Sequence, residues 1–172
     1  MKPQTVRPTR PRRSVAAEGA SFDEIDRQIL DLLQQSDRSV AVIAEEIGLS
    51  QTPCWRRIRK LEDAGVIRGR VTLVDPRHAG VGLTMFIGIT APRHEISWLE
   101  QFRELIESMP EVVEAYRLTG STDYILKVLV PDIETYDQVY KSMIARLEFS
   151  QISSSIAMEE LKFTTAVPTN YL

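Results

Sequence analysis

The sequence predicts an α+β protein of two compact parts. Three short helical patterns occupy the first half of the chain, and the second half shows a β-α-β-β-α-β order of apolar strands and amphipathic helices. A chain of 172 residues is long enough for two small domains or one of medium size. The polar segment after Asp75 interrupts the pattern, which predicts a first domain over residues 21–75 and a second over residues 76–172.

The charge of the chain is unevenly distributed. Residues 1–75 carry 13 Lys or Arg against 11 Asp or Glu, whereas residues 76–172 carry 8 against 13. The first twenty residues contain five of those basic residues, three prolines and almost no large apolar side chain. Such a stretch buries too little surface to offset its ordering entropy, so we expect residues 1–20 to form a disordered basic arm.

Three helices are predicted in the first domain. Apolar residues recur at helical spacing over residues 23–35, with Asp23 as a suitable capping residue at the start. A second helix over residues 40–47 ends at Gly48, because glycine accepts the left-handed conformation that stops a helix. A third helix follows over residues 51–64. Three short helices with a brief glycine turn between the last two define a helix-turn-helix.

A segment rich in β-branched residues precedes the second domain. Residues 66–74 are rich in β-branched side chains and predict a small wing, or a strand that leads into the next domain. Strands and helices then alternate over residues 83–90, 97–108, 112–118, 123–130, 132–146 and 152–162. This order is that of the ferredoxin-like fold, in which both helices pack on one face of an antiparallel sheet. Because the strand LTMFIGIT is apolar on both sides, we expect another subunit to cover the open face.

The third helix combines residue types that bind DNA. Its Cys54, Ile58 and Leu61 share one face, which must pack on the other two helices. Residues 55–70 carry six Lys or Arg against two acids, and short polar side chains stand at the N-terminus of the helix, the part that reaches base edges in the major groove. The candidate DNA-binding residues are Ser50, Gln51, Thr52, Pro53, Trp55, Arg56, Arg57, Arg59 and Lys60.

Their roles divide by chemistry. Phosphate contacts are expected mostly from Arg56, Arg57, Arg59 and Lys60. Gln51 and Thr52 are the better candidates for reading bases, while Trp55 either stacks at the DNA backbone or packs on its own domain. The alternative for the whole run is a solvated helical face. The arm over residues 1–20 either touches DNA without sequence preference or only keeps the chain in solution.

Composition argues against several other classes of protein. One cysteine, Cys54, leaves no disulfide framework, and with His78 and His94 far apart it makes no metal-ligand set, so no metal and no cofactor are expected. Cys54 is expected in the core, with a redox sensor as the alternative. No nucleophile–base set points to an enzyme. No apolar run approaches the roughly 18 residues of a membrane span, and the basic start lacks the apolar stretch of a secretory signal, so a cytoplasmic protein is expected.

Five segments of the chain, from about Asp23 onward, carry a family resemblance. They are FDEIDRQILDLLQQ, AEEIGLSQTPCWRRIRKLEDAGVIRG, LVDP, TGSTDYILKVLVPD and SSSIAMEELKFTTAVP. Together they resemble the Lrp/AsnC, or feast/famine, family of transcriptional regulators. The resemblance implies an N-terminal helix-turn-helix, a ligand-sensing α/β domain, dimers that often assemble into tetramers of dimers, and a small effector, usually an amino acid, in a cleft between sensing domains. The last segment resembles the cysteine-responsive regulators of cysteine detoxification more than it resembles the leucine-responsive type.

The resemblance also implies an effector site. The family's effector loop commonly reads G-D-x-D-Y; here Gly120, Asp123 and Tyr124 match, while Ser121 replaces the first aspartate. A carboxylate is a natural partner for an α-ammonium group, but a plain hairpin turn in which Asp123 accepts backbone N–H groups is the alternative. The candidate effector-binding residues are Thr119, Gly120, Ser121, Thr122, Asp123, Tyr140, Ser154, Ser155 and Ile156.

These observations predict a sequence-specific DNA-binding transcriptional regulator. Its assembly or DNA binding is expected to respond to a small effector, and its partners are double-stranded DNA, an amino acid and further copies of the chain. One alternative is an architectural, nucleoid-type DNA-binding protein without a ligand response, which would show weak sequence preference and a steep salt dependence. The other is an enzyme on a ferredoxin-like scaffold.

Overall fold

The computed structural model describes residues 21–172 and divides them into two units. Residues 21–71 and 164–172 form one, named here the helical unit, and residues 72–163 form the other, the sheet unit. The predicted basic arm, residues 1–20, lies outside the described residues. No helix in the described part of the chain is long and apolar enough to cross a membrane.

The described part of the helical unit contains three helices. They are α1 (Glu24–Gln35), α2 (Val40–Glu46) and α3 (Gln51–Asp63). Asp23 caps α1 in a reciprocal capping box: its carboxylate accepts the Asp26 N–H at 2.9 Å, and the Asp26 carboxylate accepts the Asp23 N–H at 3.2 Å. Ser50 stands at the N-cap position of α3, but its side chain makes no capping hydrogen bond.

The core of the helical unit joins the inner faces of all three helices. Its buried members are Ile29, Leu30, Ile43, Ala44, Cys54, Ile58 and Leu61. The predicted buried face of α3 is therefore present. Cys54 is fully buried, and burial raises the pKa of its thiol, so this sulfur is a neutral core group.

The C-terminal segment belongs to the helical unit, although the sequence pattern placed it in the second domain. The Gln34 side-chain amide donates to the Val167 carbonyl at 3.1 Å and accepts the Val167 N–H at 2.6 Å. The Thr169 hydroxyl donates to Asp31 at 2.7 Å. These bonds to α1 explain the assignment of residues 164–172.

The strand predicted over residues 66–74 is absent from the structure of this segment. The N–H groups of Val66 and Ile67 both donate to the Leu61 carbonyl, at 3.0 and 3.1 Å, and so complete the C-terminus of α3. Val71 and Leu73 further along are exposed. The prediction of a strand was wrong, because β-branched residues form a strand only where a neighbouring strand is available.

Within residues 72–163, four strands and two helices follow the predicted order. They are β1 (Leu83–Thr90), α4 (Ile96–Glu107), β2 (Val112–Arg117), β3 (Tyr124–Val130), α5 (Ile133–Arg146) and β4 (Gln151–Ile156). The sheet order is β2-β3-β1-β4, and every neighbouring pair is antiparallel. The ferredoxin-like prediction is confirmed.

One face of the sheet packs on α4 and α5. Alternate residues of β1 and β3 are buried there together with the inner sides of both helices, namely Met85, Ile87, Ile89, Tyr124, Leu126, Val128, Val130, Trp98, Phe102, Leu105, Val139 and Met143. The other face carries the alternate set of residues, including Phe86, which is 39% exposed. The predicted open face is thus present in the sheet unit.

The last strand is shorter than predicted. It ends at Ile156, which pairs with Met85 near the start of β1, and beyond it a single bond runs from the Ala157 N–H to the Thr84 carbonyl at 2.9 Å. Residues 157–162 were expected to continue the strand. They do not, because β1 begins at Leu83, only two residues before Met85, so residues beyond 158 have no part of β1 opposite them.

Candidate DNA-binding and effector sites

The outer side of α3 carries most of the predicted DNA-binding residues. The exposed members are Ser50, Gln51, Thr52, Pro53, Trp55, Arg56, Arg59 and Lys60. Arg57 is partly buried. The N-terminus of α3 therefore presents two neutral hydrogen-bonding side chains, Gln51 and Thr52, beside a row of cations. This arrangement matches a recognition helix, whose first turns approach base edges while basic side chains meet phosphates.

The Arg57 side chain forms ion pairs with two carboxylates at the start of α1. Its guanidinium lies 2.8 Å from both carboxylate oxygens of Asp23 and 2.8 Å from the carboxylate of Asp26. The Asp26 side chain is 1% exposed. The Asp26 backbone N–H and Arg57 hold the pKa of Asp23 below its ordinary value, and the two carboxylates raise the pKa of Arg57. The side chain thus connects α3 to the start of α1.

Lys60 makes a second connection to the same place. Its Nζ donates to the Ser21 carbonyl at 2.7 Å, lies 3.6 Å from the Asp26 carboxylate, and stands 5.2 Å from the centroid of the Phe22 ring. Both Arg57 and Lys60 were expected to contact DNA phosphates. The geometry instead favours a positioning role for both, leaving Arg56 and Arg59 as the better candidates for phosphate contacts.

Arg56 and Arg59 differ in their surroundings. Arg56 makes no ion pair with any residue in the range 21–172. Arg59 lies 3.0 Å from Glu62 and 5.7 Å from the centroid of the Trp55 ring, which is 51% exposed. Trp55 therefore lies at the surface beside a cation and is not part of the core of the helical unit.

A groove beside α3 was missed by the sequence analysis. It has a volume of about 760 Å³ and lies between α3 and the segment that follows it. Its lining residues are Val40, Trp55, Ile58, Arg59, Glu62, Ile67, Arg68, Gly69 and Arg70. The basic pair Arg68 and Arg70 around Gly69 was the available signal, since a run of this kind close to a recognition helix is suited to phosphate contact.

The predicted effector loop lies between β2 and β3, and two of its residues bond to the end of β1 and the residue that follows it. Asp123 accepts the Ala91 N–H at 2.9 Å through one oxygen, while the other lies 4.0 Å from the exposed His94 ring. The Ser121 carbonyl accepts the Thr90 hydroxyl at 3.4 Å. Asp123 thus accepts a backbone N–H, as the turn interpretation expects.

Thr122 in the same loop lies close to β1. A Cβ on Gly88 would come within 3.3 Å of the Thr122 methyl group, so glycine allows this close approach. Thr119, Gly120 and Ser121 are exposed, and Gly120 has a φ of 121°, which favours glycine. The loop is accordingly a tight turn with an accessible tip.

The β4 members of the predicted site fall on two faces of the sheet. Ser154 and Ile156 pair with Ile87 and Met85, which face the helices, whereas Ser155 pairs with Phe86 on the open face. The Ser154 hydroxyl forms a hydrogen bond with the hydroxyl of Tyr136.

Tyr136 was missed by the sequence analysis. It lies one helical turn before the predicted Tyr140 on α5, which was the available signal. Burial raises the pKa of its phenol, so the hydroxyl is neutral at physiological pH and free to donate or accept a hydrogen bond.

The loop approaches β4 at Gly88 of β1. A Cβ on Gly88 would lie 3.3 Å from the Thr122 methyl group and 3.8 Å from the Ser153 carbonyl oxygen, so loop and strand are close together there. Ser154, which pairs with Ile87, lies on the opposite face of the sheet from this contact. No cluster of His, Cys, Asp or Glu among the described residues could hold a metal ion.

A helix-turn-helix with an exposed polar and basic third helix, together with a ferredoxin-like unit, defines a DNA-binding regulatory protein. Residues 22–68 match the family described as winged helix-turn-helix DNA-binding, and residues 84–167 match the Lrp/AsnC ligand binding domain. The chain belongs to the Lrp/AsnC family of transcriptional regulators. It is therefore a transcriptional regulator rather than an enzyme.

Relatives and solved structures support this membership along most of the chain. The glutamate uptake regulatory protein of Zymomonas mobilis is 45% identical over 148 residues, which are 86% of this chain and 90% of that protein. The DNA-binding transcriptional activator DecR of Escherichia coli is 41% identical over 149 residues, 86% of this chain and 98% of its own. A Neisseria meningitidis transcriptional regulator, solved as a complex with L-Met, has a TM-score of 0.83 and 31% identity, covering 88% and 99% of the two chains.

Proposed function

We propose that this regulator reads a pseudo-palindromic DNA site through two copies of α3, and that an amino acid bound to the sheet unit changes its assembly or its DNA binding. The observation that carries the first half of this proposal is the exposed N-terminus of α3. Gln51 and Thr52 stand there as base-reading candidates, and Arg56 lies beside them without an internal ion pair in residues 21–172. Because bacterial chromosomal DNA lies in the cytoplasm, we place the protein's work there.

The open face of the sheet supports self-assembly. It carries Phe86 from β1 with Ile125 and Leu129 from β3, and Tyr116 from β2 is 56% exposed on the same face. A sheet face with this many apolar side chains is stabilised when it is covered. A second copy of the chain is the proposed cover, and two recognition helices related by a two-fold axis suit a pseudo-palindrome. Assembly into a tetramer of dimers remains a prediction.

The position of the predicted effector loop also favours assembly. Because Thr122 approaches Gly88 and Ser153 on the open face that a second copy would cover, an effector bound there would contact two subunits. A ligand bound between subunits can bias assembly, since it binds one arrangement better than another. The names of the relatives, which mention glutamate and L-Met, support an amino acid; the C-terminal segment adds cysteine as a candidate.

The proposal is tested by fluorescence anisotropy of labelled DNA from just upstream of the protein's own gene. Protein is titrated at fixed salt, first alone and then with each proteinogenic amino acid, beginning with cysteine, glutamate and methionine. A saturable change in affinity with one or a few amino acids is the expected result. Tight binding that no amino acid alters, with weak sequence preference, would support the architectural alternative instead.

Asp123→Asn should shift the response to higher amino acid concentration while DNA binding without ligand stays unchanged. Asparagine keeps an oxygen for the Ala91 N–H but removes the charge that would pair with an ammonium group, so we expect effector affinity to fall by about tenfold or more. The measurement is the same anisotropy titration. Glu100→Gln, an exposed change on α4, is the matched control. An unchanged response in Asp123→Asn would move the effector site away from this loop.

Arg56→Gln should weaken binding to specific and random DNA alike. Loss of one phosphate contact is expected to lower the slope of log affinity against log salt concentration by about one. Gln51→Ala, in contrast, should relax sequence preference and leave the slope unchanged. Anisotropy titrations on both DNAs at several salt concentrations measure the two quantities. If Arg56→Gln changed sequence preference alone, the division of roles between these two residues would be incorrect.

A further inference from the structure

Glu62 lies in the groove beside α3 and forms ion pairs with two arginines. One carboxylate oxygen is 3.0 Å from the guanidinium of Arg59 on α3, and the other is 3.7 Å from that of Arg70 in the following segment. The Glu62 side chain is 29% exposed, whereas Arg59 and Arg70 are each more than half exposed. The carboxylate is therefore the more sheltered partner of both pairs, and the two cations stand at the surface.

The groove is suited to a DNA backbone. Its inner side is apolar, with Val40, Ile58 and Ile67, and its rim carries Trp55 and the basic side chains. A deoxyribose offers an apolar surface that can lie against such a floor, and the phosphates on either side offer anionic oxygens to the arginines. The groove is also continuous with α3, whose N-terminal half we propose as the base-reading element.

A carboxylate and a phosphate compete for the same guanidinium groups. Both present anionic oxygens that accept charge-assisted hydrogen bonds from arginine. A phosphate that contacts Arg59 or Arg70 must therefore take the place of an oxygen of Glu62. In a loosely bound complex with random DNA, the phosphates are not held in register with these side chains, and the internal pairs persist. In a complex with the specific site, the phosphates are held in place, and the exchange becomes favourable.

We propose that Glu62 is a specificity-determining residue that suppresses binding to random DNA by occupying Arg59 and Arg70 until correctly placed phosphates replace it. The proposal rests on the DNA-binding function proposed above. Non-specific binding comes almost entirely from phosphate contacts. Because Glu62 keeps Arg59 and Arg70 from making such contacts, the affinity for random DNA is strongly reduced. Specific binding also includes base contacts, and in the specific complex the two cations contact phosphates. The presence of Glu62 therefore lowers the affinity for the specific site less than the affinity for random DNA.

The test compares Glu62→Gln with Asp63→Asn in the full chain. Both changes remove one negative charge, and glutamine keeps the shape of the glutamate side chain. Asp63 is the adjacent residue on α3, is exposed, and makes no ion pair in residues 21–172. Anisotropy titrations of random and upstream DNA at several salt concentrations give the affinities and the salt slopes.

Glu62→Gln should raise affinity for random DNA by about tenfold and steepen its salt slope by one to about two. Affinity for the upstream DNA should rise less, so that the ratio of specific to random binding falls. Asp63→Asn should raise both affinities by about twofold or less, because an exposed, unpaired charge is screened by salt. Equal effects of the two substitutions would overturn the proposal.

Arg70→Gln supplies a second and independent measurement. In the wild-type chain it should change binding to random DNA little, because Glu62 already holds Arg70. In the Glu62→Gln chain, Arg70→Gln should lower the affinity for random DNA several-fold. The effects of the two substitutions are therefore not additive. Additive effects would contradict the proposal. Failure of the wild-type chain to bind the upstream DNA would instead count against the proposed function.

Discussion

Asp26→Ala is expected to lower the free energy of unfolding of the helical unit by about 3 kcal/mol. The Asp26 carboxylate is fully buried, accepts hydrogen bonds from Arg57 and from the Asp23 N–H, and lies 3.6 Å from Lys60. Alanine would leave the guanidinium with one carboxylate and the first N–H of the capping box without its partner. We take the lower end of the usual range for a broken buried pair, because Arg57 is 29% exposed and water can reach it.

Amide hydrogen exchange in α1 and α3, followed by mass spectrometry, measures this loss within the helical unit. Asp37→Ala is the matched control, since Asp37 is exposed and makes no ion pair within the described residues. Asp26→Asn should lose less, because its amide oxygen still accepts the Asp23 N–H. Equal exchange rates in Asp26→Ala and Asp37→Ala would show that the buried carboxylate does not stabilise the unit.

The same substitution carries a functional expectation. Arg57 and Lys60 join α3 to the start of α1, so loss of Asp26 removes one partner from each cation and loosens the connection of α3 to α1. Binding to the specific site should therefore weaken, while binding to random DNA weakens less or rises. The ratio of the two affinities, measured by anisotropy at one salt concentration, distinguishes this positioning role from a simple loss of phosphate contacts.

Phe102→Ala is expected to lower the free energy of unfolding of the sheet unit by about 4 kcal/mol. Phe102 is 2% exposed. Its ring stacks on Trp98 with centroids 5.1 Å apart and lies 4.8 Å from the ring of Tyr124. The substitution therefore leaves a large cavity among rigid aromatic groups, which cannot collapse to fill it.

Hydrogen exchange in β1 and β3 measures the effect of Phe102→Ala in the sheet unit. Phe102→Leu should cost less, about 1 kcal/mol, because leucine fills part of the space. Arg103→Ala, at the next and exposed position of α4, is the control for helix propensity. A loss in Phe102→Ala no larger than that in Arg103→Ala would mean that this aromatic group does not anchor the core.

Much of the fold was predictable from local pattern. The inner face of α3, with Cys54, Ile58 and Leu61, follows from helical spacing, and β1 was predicted with its observed ends, Leu83 and Thr90. Helix caps and apolar periodicity act over a few residues, so they can be read directly from the chain. The order of elements then defined the ferredoxin-like unit, and five segments of the sequence were sufficient to indicate the family.

The wrong predictions share one physical cause. Residues 66–74 and 157–162 have strand-like composition, yet neither forms a strand, because a strand requires hydrogen bonds to a neighbour that lies far away in sequence. The C-terminal segment was assigned to the wrong unit for the same reason. Its bonds to α1, from Val167 and Thr169, join residues more than 130 positions apart.

The proposed DNA-binding site shows the same division between local and distant information. The sequence by itself determined that α3 has one buried face, that polar residues stand at its N-terminus, and that cations cover its outer side. Only the tertiary structure decided which of these cations have partners: Asp23 and Asp26 of α1 hold Arg57, and Glu62 holds Arg59 and Arg70. Periodicity reports the direction of a side chain from its own helix. The ion-pair partners of that side chain are the residues that the fold places within a few ångströms of it.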